Sequence, residues 1–200
     1  MQNYQITDDE LVDGYLKGDI SCFDEIMNRY KNRLYNYIYH HTGHRQLAED
    51  LFQEAFTRVI EHLPRYRKRG NFPGWIFKIA LNICRDHMRK KAKMPTVSLN
   101  QPFSSEDGEE VTLENLLASD RPSPAAETCK KEIHQFLRQS IAHLPRKQRE
   151  VVILRIYGKL SFKEISAVLH CPINTALARM RYALKALHRK LKKTGVEDEL

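Results

Sequence analysis

Apolar residues in this chain recur three and four positions apart, and that spacing limits what the chain can fold into. One series runs Phe23, Ile26, Met27, Tyr30, Leu34 and Tyr37 or Ile38. A second runs Leu47, Leu51, Ala55 and Val59, widened by Ala48, Phe52 and Phe56. A third, within Phe72 to Lys91, is Ile76, Ile79, Ala80 and Ile83. Each series is one apolar face of a helix. No stretch alternates with a period of two over the length of a strand, and no internal repeat is present. The expected fold is all-α.

Local signals divide these helices. Thr7 and Glu10 form a capping box ahead of Leu11, Val12, Tyr15 and Leu16, and Gly18 stops that helix. Asp19 or Ser21 opens the second helix and Gly43 ends it. The third is expected from about Gln46 to Leu63, closed by Pro64. Composition then changes over 94–123, which holds Pro95, Pro102, Pro122, several serines and the acidic group Glu106, Asp107, Glu109 and Glu110. Only Val111 to Ala118 has a weak helical pattern there, so the segment reads as a flexible linker. It separates an N-terminal helical domain, 1–93, from a C-terminal one, 124–200.

In the second domain Ser123-Pro124 is a helix start. The helix after it presents Ile133, Leu137, Ile141 and Leu144 and ends at Pro145. Arg146 to Tyr157 is mostly apolar at Val151, Val152, Leu154 and Ile156, and Gly158 stops it. Ser161 and Glu164 form another capping box, opening a short helix with Ile165, Val168 and Leu169 inward. After the turn His170-Cys171-Pro172 comes a long helix whose expected buried face is Met180, Leu184, Leu187 and Leu191. A short and a long helix joined by a tight turn match a helix-turn-helix.

The net charge of +8 favours an anionic partner, nucleic acid ahead of a membrane surface. No apolar run is long enough to span a bilayer, and the acidic N-terminal stretch is unlike a signal peptide. A cytoplasmic location without membrane insertion is expected. Cys22, Cys84, Cys129 and Cys171 are too scattered for a metal or disulfide framework, and nothing near His40, His41 and His44 completes a four-ligand set. The glycines are spread singly, so no phosphate-cradling loop is present, and no GxSxG or HExxH pattern occurs. No cofactor, no metal and no catalytic role is expected.

Three stretches carry candidate binding chemistry. Asp50, Gln53, Glu54, Thr57 and Glu61 make an acidic stripe on a basic protein. It is either a solvated surface or a docking face for a basic protein partner. Trp75, with Arg85, Arg89, Lys90 and Lys91 after it and Arg65, Arg67, Lys68 and Arg69 before it, joins an aromatic side chain to clustered cations. That suits unpaired nucleic acid, against the plainer reading of an amphipathic core helix. In the last helix Thr175, Ala176, Ala178, Arg179 and Tyr182, followed by Arg181, Lys185 and Arg189, occupy the part that enters the major groove. The plainer alternative is a helical hairpin with solubilising cations.

Together these stretches resemble the sigma-70 superfamily of RNA polymerase sigma factors, in its extracytoplasmic-function group. The resemblance runs from Asp9 to about Leu191. It rests on Asp9-Glu10-Leu11-Val12, Gly18-Asp19, Phe23 through Arg29-Tyr30, and Ala48 through Phe56. It continues through Leu63-Pro64, Phe72, Trp75-Ile76 and Ile79-Ala80-Leu81-Asn82. In the second domain it rests on Leu144-Pro145, Gln148 through Val151, Leu160 through Ile165, and Pro172 with Thr175 and Arg179.

The resemblance implies a sigma factor that binds core RNA polymerase and promoter DNA. Asp50, Gln53 and Glu54 would grip the polymerase clamp helices. Phe72 to Lys91 would melt and read the minus-ten element, with a flipped base held near the loop before Trp75 and with Asn82, Arg85, Arg89 and Lys90 on the strand. Trp75 itself leans towards core packing. Thr175, Arg179, Arg181, Tyr182 and Lys185 would read the minus-thirty-five element, and the acidic linker would thread towards the RNA exit path. Members of the group are usually held by an anti-sigma factor, so one is a possible partner here. One departure is visible: where the family often has lysine then serine, this chain has Leu177 and Ala178. A DNA-binding regulator that acts without joining polymerase is the alternative, and an enzyme built on the histidine cluster is a remoter one.

Overall fold

A computed structural model describes residues 6–67, 70–93 and 135–194, the side chains of 91–93 and 193–194 excepted. The linker 94–123, the Ser123-Pro124 start, Ile133 and Cys129 lie outside the described residues. Among those described there is no strand, and the elements are helical throughout. They are α1 (Asp8–Leu16), α2 (Ile20–Thr42), α3 (Arg45–His62), α4 (Phe72–Lys93), α5 (135–142), α6 (Arg146–Ile156), α7 (Phe162–Leu169) and α8 (Ile173–Thr194). A single 3-10 turn, Leu63–Arg65, follows α3, with Pro64 removing a donor that a longer helix would need.

The helix ends follow the capping residues. The Thr7 side chain accepts from the Glu10 amide while the Glu10 carboxylate accepts from the Thr7 amide, so two otherwise orphaned donors are satisfied reciprocally. Asp19 caps α2 by accepting from the Ser21 amide at 3.0 Å. His44 caps α3 through its ring nitrogen, which accepts from the Leu47 amide. Ser161 and Glu164 repeat the capping box at α7.

The chain forms two compact units, Met1–Met94 with Ile153–Leu177, and Pro95–Val152 with Ala178–Leu200. In the first, α2 packs on α1, α3 and α4, and α4 packs on α3 and α7. Its core holds Ile26, Tyr30, Leu34, Tyr37 and Ile38 of α2, Ala48, Leu51, Ala55, Phe56 and Val59 of α3, and Phe72, Ile76, Phe77, Ala80, Leu81, Ile83 and Cys84 of α4. The α4 face differs from expectation. Phe77, Leu81 and Cys84 are buried while Ile79 is only half-buried. Packed by α2, α3 and α7, the helix buries a stripe wider than a one-neighbour face.

Gly158 shows how closely this unit packs. A Cβ there would lie 2.6 Å from the Leu154 carbonyl oxygen and 3.1 Å from the Phe77 ring, so only glycine fits without displacement. Its carbonyl accepts from the Arg33 guanidinium at 3.1 and 2.5 Å. That guanidinium also lies over the Tyr30 and Phe77 rings. The end of α7 is tied similarly, the Lys78 ammonium donating to the Val168 carbonyl at 3.0 Å.

In the second unit Ile141, Leu144, Val151, Val152, Ala183 and Leu187 are buried. Two expected faces are corrected. Leu184 is 51% exposed, and the buried positions of α8 are Ala176, Ala183 and Leu187, with Met180 and Leu191 half-buried. Positions 176, 180, 183 and 187 keep the three-and-four spacing, so the buried face keeps Met180 and Leu187 from the expected one and takes Ala183 and Ala176 in place of Leu184. Ile156, at the end of α6, is also exposed, at 43%.

Candidate nucleic-acid interface

The chain between α3 and α4 is a basic loop folded around an aromatic cluster. Tyr66 lies 5.4 Å from Phe72 and 5.0 Å from Trp75, and Phe72 lies 5.5 Å from Trp75. Phe72 is buried and meets Tyr30 edge-on at 5.4 Å, which fixes the cluster to α2. Trp75 is half-buried, packing against rings on one side while its other edge lines a cavity of about 430 Å³. Arg65, Tyr66, Arg67, Asn71 and Lys78 share that lining. The cavity thus has aromatic walls and a cationic rim, which suits a planar, anionic-backbone ligand such as an unpaired nucleotide.

Two contacts from α1 hold this loop. Asp9 Oδ1 accepts from the Tyr66 hydroxyl at 2.8 Å, and Asp9 Oδ2 accepts from the Gly70 amide at 3.0 Å. Gly70 has φ +63°, a left-handed conformation that side-chain-bearing residues rarely adopt. Sequence reasoning found the basic residues of this loop but missed Tyr66, Asn71 and Asp9. A tyrosine between arginines, followed by a glycine, was the available signal for Tyr66. Asp9 appears in the sequence only as the start of the family-like stretch, and nothing local ties it to this loop.

Further along α4, Asn82, Arg89 and Lys90 are exposed and Arg85 is half-buried, so the expected polar edge exists. Arg89 pairs with Asp86 at 2.6 Å along the same helix. A groove of about 270 Å³ between α3 and α4 is bounded by Glu54 and Arg58 on one side and by Asp86, Arg89 and Lys90 on the other. Glu54 is therefore brought beside Arg89 and Lys90, whereas Asp50 and Gln53 are exposed elsewhere along α3. Glu54 also pairs with Arg58 at 2.5 Å, an exposed same-helix contact of small energetic weight.

On α8, Arg181, Tyr182 and Lys185 are exposed, and Thr175 and Arg179 are half-buried. Thr175, Arg179 and Tyr182 fall at i, i+4 and i+7 and so share a face. The Arg181 guanidinium lies 5.7 Å from the Tyr182 ring centre. Ala176, expected beside them, is fully buried and cannot meet a ligand. Its place in the core follows from its position one turn before Met180 on the buried face.

Three of the cysteines and three of the histidines have places in the packing or at a helix end. Burial pushes the Cys84 thiol up to about 12, so it stays neutral. Cys22 and Cys171 are also free thiols. His44 is a helix cap, His41 is buried against Tyr37, and the His40 ring stacks on Tyr157. No group of three or more metal-ligating side chains gathers among the described residues. No helix among them is long and apolar enough to cross a membrane.

Residues 26–94 match the family model for sigma-70 region 2, and residues 134–187 that for sigma-70 region 4. The chain is 30% identical over 176 residues to the ECF RNA polymerase sigma factor SigW of Bacillus subtilis, covering 88% of this chain and 92% of that one. It is 29% identical over 187 residues to the RNA polymerase sigma-H factor of Pseudomonas aeruginosa, covering 94% and 95%. Among solved structures, CnrH in complex with the cytosolic domain of CnrY matches with a TM-score of 0.65 at 19% identity, over 92% of this chain and 96% of that one. The sigma factor RpoE in complex with the anti-sigma factor NepR from Bartonella quintana matches with a TM-score of 0.61 at 19% identity, over 85% and 96%. These structural likenesses bear on the fold, and the family models with the SigW relationship bear on descent. The chain belongs to the extracytoplasmic-function group of sigma-70 family sigma factors.

Proposed function

We propose that this sigma factor binds core RNA polymerase, directs it to a small set of promoters and opens the DNA there. The observation that carries this reading is the aromatic, cation-rimmed cavity at the start of α4, continuous in sequence with the edge Asn82, Arg85, Arg89 and Lys90. An aromatic wall stacks on any base, and the cations neutralise the backbone phosphates. A duplex reader that never opened DNA would have no use for such a cavity, which disfavours a regulator acting without polymerase.

Within that function, 1–93 carries polymerase and minus-ten contacts, 94–123 links, and 124–200 reads the minus-thirty-five element. Asp50, Gln53 and Glu54 offer an exposed acidic face to a basic partner surface. Thr175, Arg179, Arg181, Tyr182 and Lys185 meet the major groove and its phosphates. Trp75 closes the reading cavity by packing. The protein acts in the cytoplasm as an initiation factor without catalytic chemistry of its own. Because two structural relatives were solved with the cytosolic domain of CnrY and with the anti-sigma factor NepR, an anti-sigma factor is proposed as the regulating partner.

The test is transcription by purified core polymerase with this protein on a randomised promoter library. Enrichment of a two-part promoter above core alone is the expected result. Absence of both core binding and initiated transcripts would overturn the proposal.

A further inference from the structure

Three consecutive acidic residues open α1, and each has a different partner. Glu10 closes the capping box with Thr7. Asp8 binds the Arg29 guanidinium at 3.0 Å and the Tyr30 hydroxyl at 2.5 Å, which fastens α1 to α2. Asp9 alone reaches the loop before α4, 57 residues from Tyr66 and 61 from Gly70. We infer that Asp9 is a positioning residue for the reading cavity, holding the loop in the shape that receives an unpaired base. The inference rests on the proposed promoter-opening function.

The geometry supports this in two ways. Asp9 uses one carboxylate oxygen on a side-chain donor and the other on a backbone donor, so it fixes a ring and a main-chain turn together. The ring it fixes, Tyr66, is a wall of the cavity and packs on Trp75, whereas Asp9 is not part of the lining.

The experiment uses the full chain with core polymerase and a fluorescent pool of single-stranded dodecamers of randomised sequence. Hydrogen exchange at the Gly70 amide is followed in the same proteins. Asp9→Leu removes both acceptors, and capture of the pool is expected to weaken about tenfold, with faster Gly70 exchange and core affinity within about twofold. Asp9→Asn is expected to retain capture within about threefold, because its carbonyl accepts from Gly70 and its amide donates to the tyrosine oxygen. Adding Tyr66→Phe to Asp9→Leu should weaken capture no further, since the two act through one contact.

Wild-type capture by Asp9→Leu would overturn the inference. So would equal losses in Asp9→Asn and Asp9→Leu, which would mean that charge and not the pair of hydrogen bonds matters. If the wild-type protein with core captured no strand, the promoter-opening reading would fall instead. Gly70 exchange in Asp9→Leu would then decide by itself whether Asp9 holds the loop, unchanged exchange counting against it.

Discussion

The Tyr30 hydroxyl donates to Asp8 Oδ2 at 2.5 Å, 22 residues away in sequence. Burial first, and then the neighbouring carboxylate, push the Tyr30 hydroxyl well above its ordinary value, so it acts only as a neutral donor. Arg29 adds bonds to Asp8 Oδ1 and to the Ile6 carbonyl, so the start of α1 is held through both oxygens of one carboxylate. Asp8→Ala leaves a part-buried hydroxyl without this acceptor, and a loss of about 1–3 kcal/mol is expected by urea unfolding. Tyr30→Phe keeps the ring contact with Phe72 and should cost about 1 kcal/mol. A smaller loss in Asp8→Ala than in Tyr30→Phe would show that the carboxylate is not the centre of this contact.

The acidic stripe of α3 makes a separate prediction. Asp50 and Glu54 are exposed and one helical turn apart, so reversing both charges changes the surface without touching the core. Glu54→Arg sets two cations at i, i+4 with Arg58, a cost of about 0.5 kcal/mol. Asp50→Arg with Glu54→Arg should therefore keep its helical circular dichroism while core polymerase affinity falls by about a hundredfold or more. Normal affinity in that variant would move the docking face elsewhere.

Much of this architecture was legible in the sequence, and the failures have physical causes. The Thr7–Glu10 and Ser161–Glu164 capping boxes and the Gly43 stop depend on atoms a few residues apart, so a local pattern contains them. The faces of α2 and α3 were legible because each helix carries one dense apolar stripe. In α8 one leucine misled: Leu184 is exposed, while Ala183, about 100° around the helix from it, is buried. Ala176, one turn before Met180 on the buried face, escaped notice because an alanine adds little to an apolar pattern. In the cavity before α4 the cations and Trp75 were visible as residue types. Asp9 was not, because its two bonds exist only once α1 is folded against a loop some sixty residues on.

Acid should unpick the helix caps before the core. Backbone and side-chain bonds from Thr7 hold the Glu10 carboxyl below its ordinary range, and the Ser21 hydroxyl does the same for Asp19. A carboxyl depressed in the folded state contributes stability that is present above its unfolded value and lost as pH falls through the folded one. The unfolding midpoint should thus decline below about pH 4, near the ordinary carboxylate range. Glu10→Gln with Asp19→Asn should start from a slightly lower midpoint at pH 7 and decline less between pH 5 and 3. Parallel curves for the variant and the wild type would refute the assignment of that decline to the caps.

The last helix, α8, offers a test by gain. Leu177 is 43% exposed near the start of α8, where on the proposed major-groove docking a cation would reach a phosphate, while its neighbour Ala176 is fully buried. Each added phosphate contact raises the slope of log affinity against log salt by about 0.9 for duplex DNA. Leu177→Lys should steepen that slope by about one contact and tighten duplex binding at low salt, with the advantage shrinking as salt rises. Capture of single strands should stay the same, because the cavity before α4 is unchanged. Ala176→Lys, by contrast, buries a charge and should unfold the helix-turn-helix. Titrating a duplex that carries the selected minus-thirty-five element at several salt concentrations reads the slope directly. An unaltered slope in Leu177→Lys would mean that the exposed face of α8 does not lie along the DNA backbone.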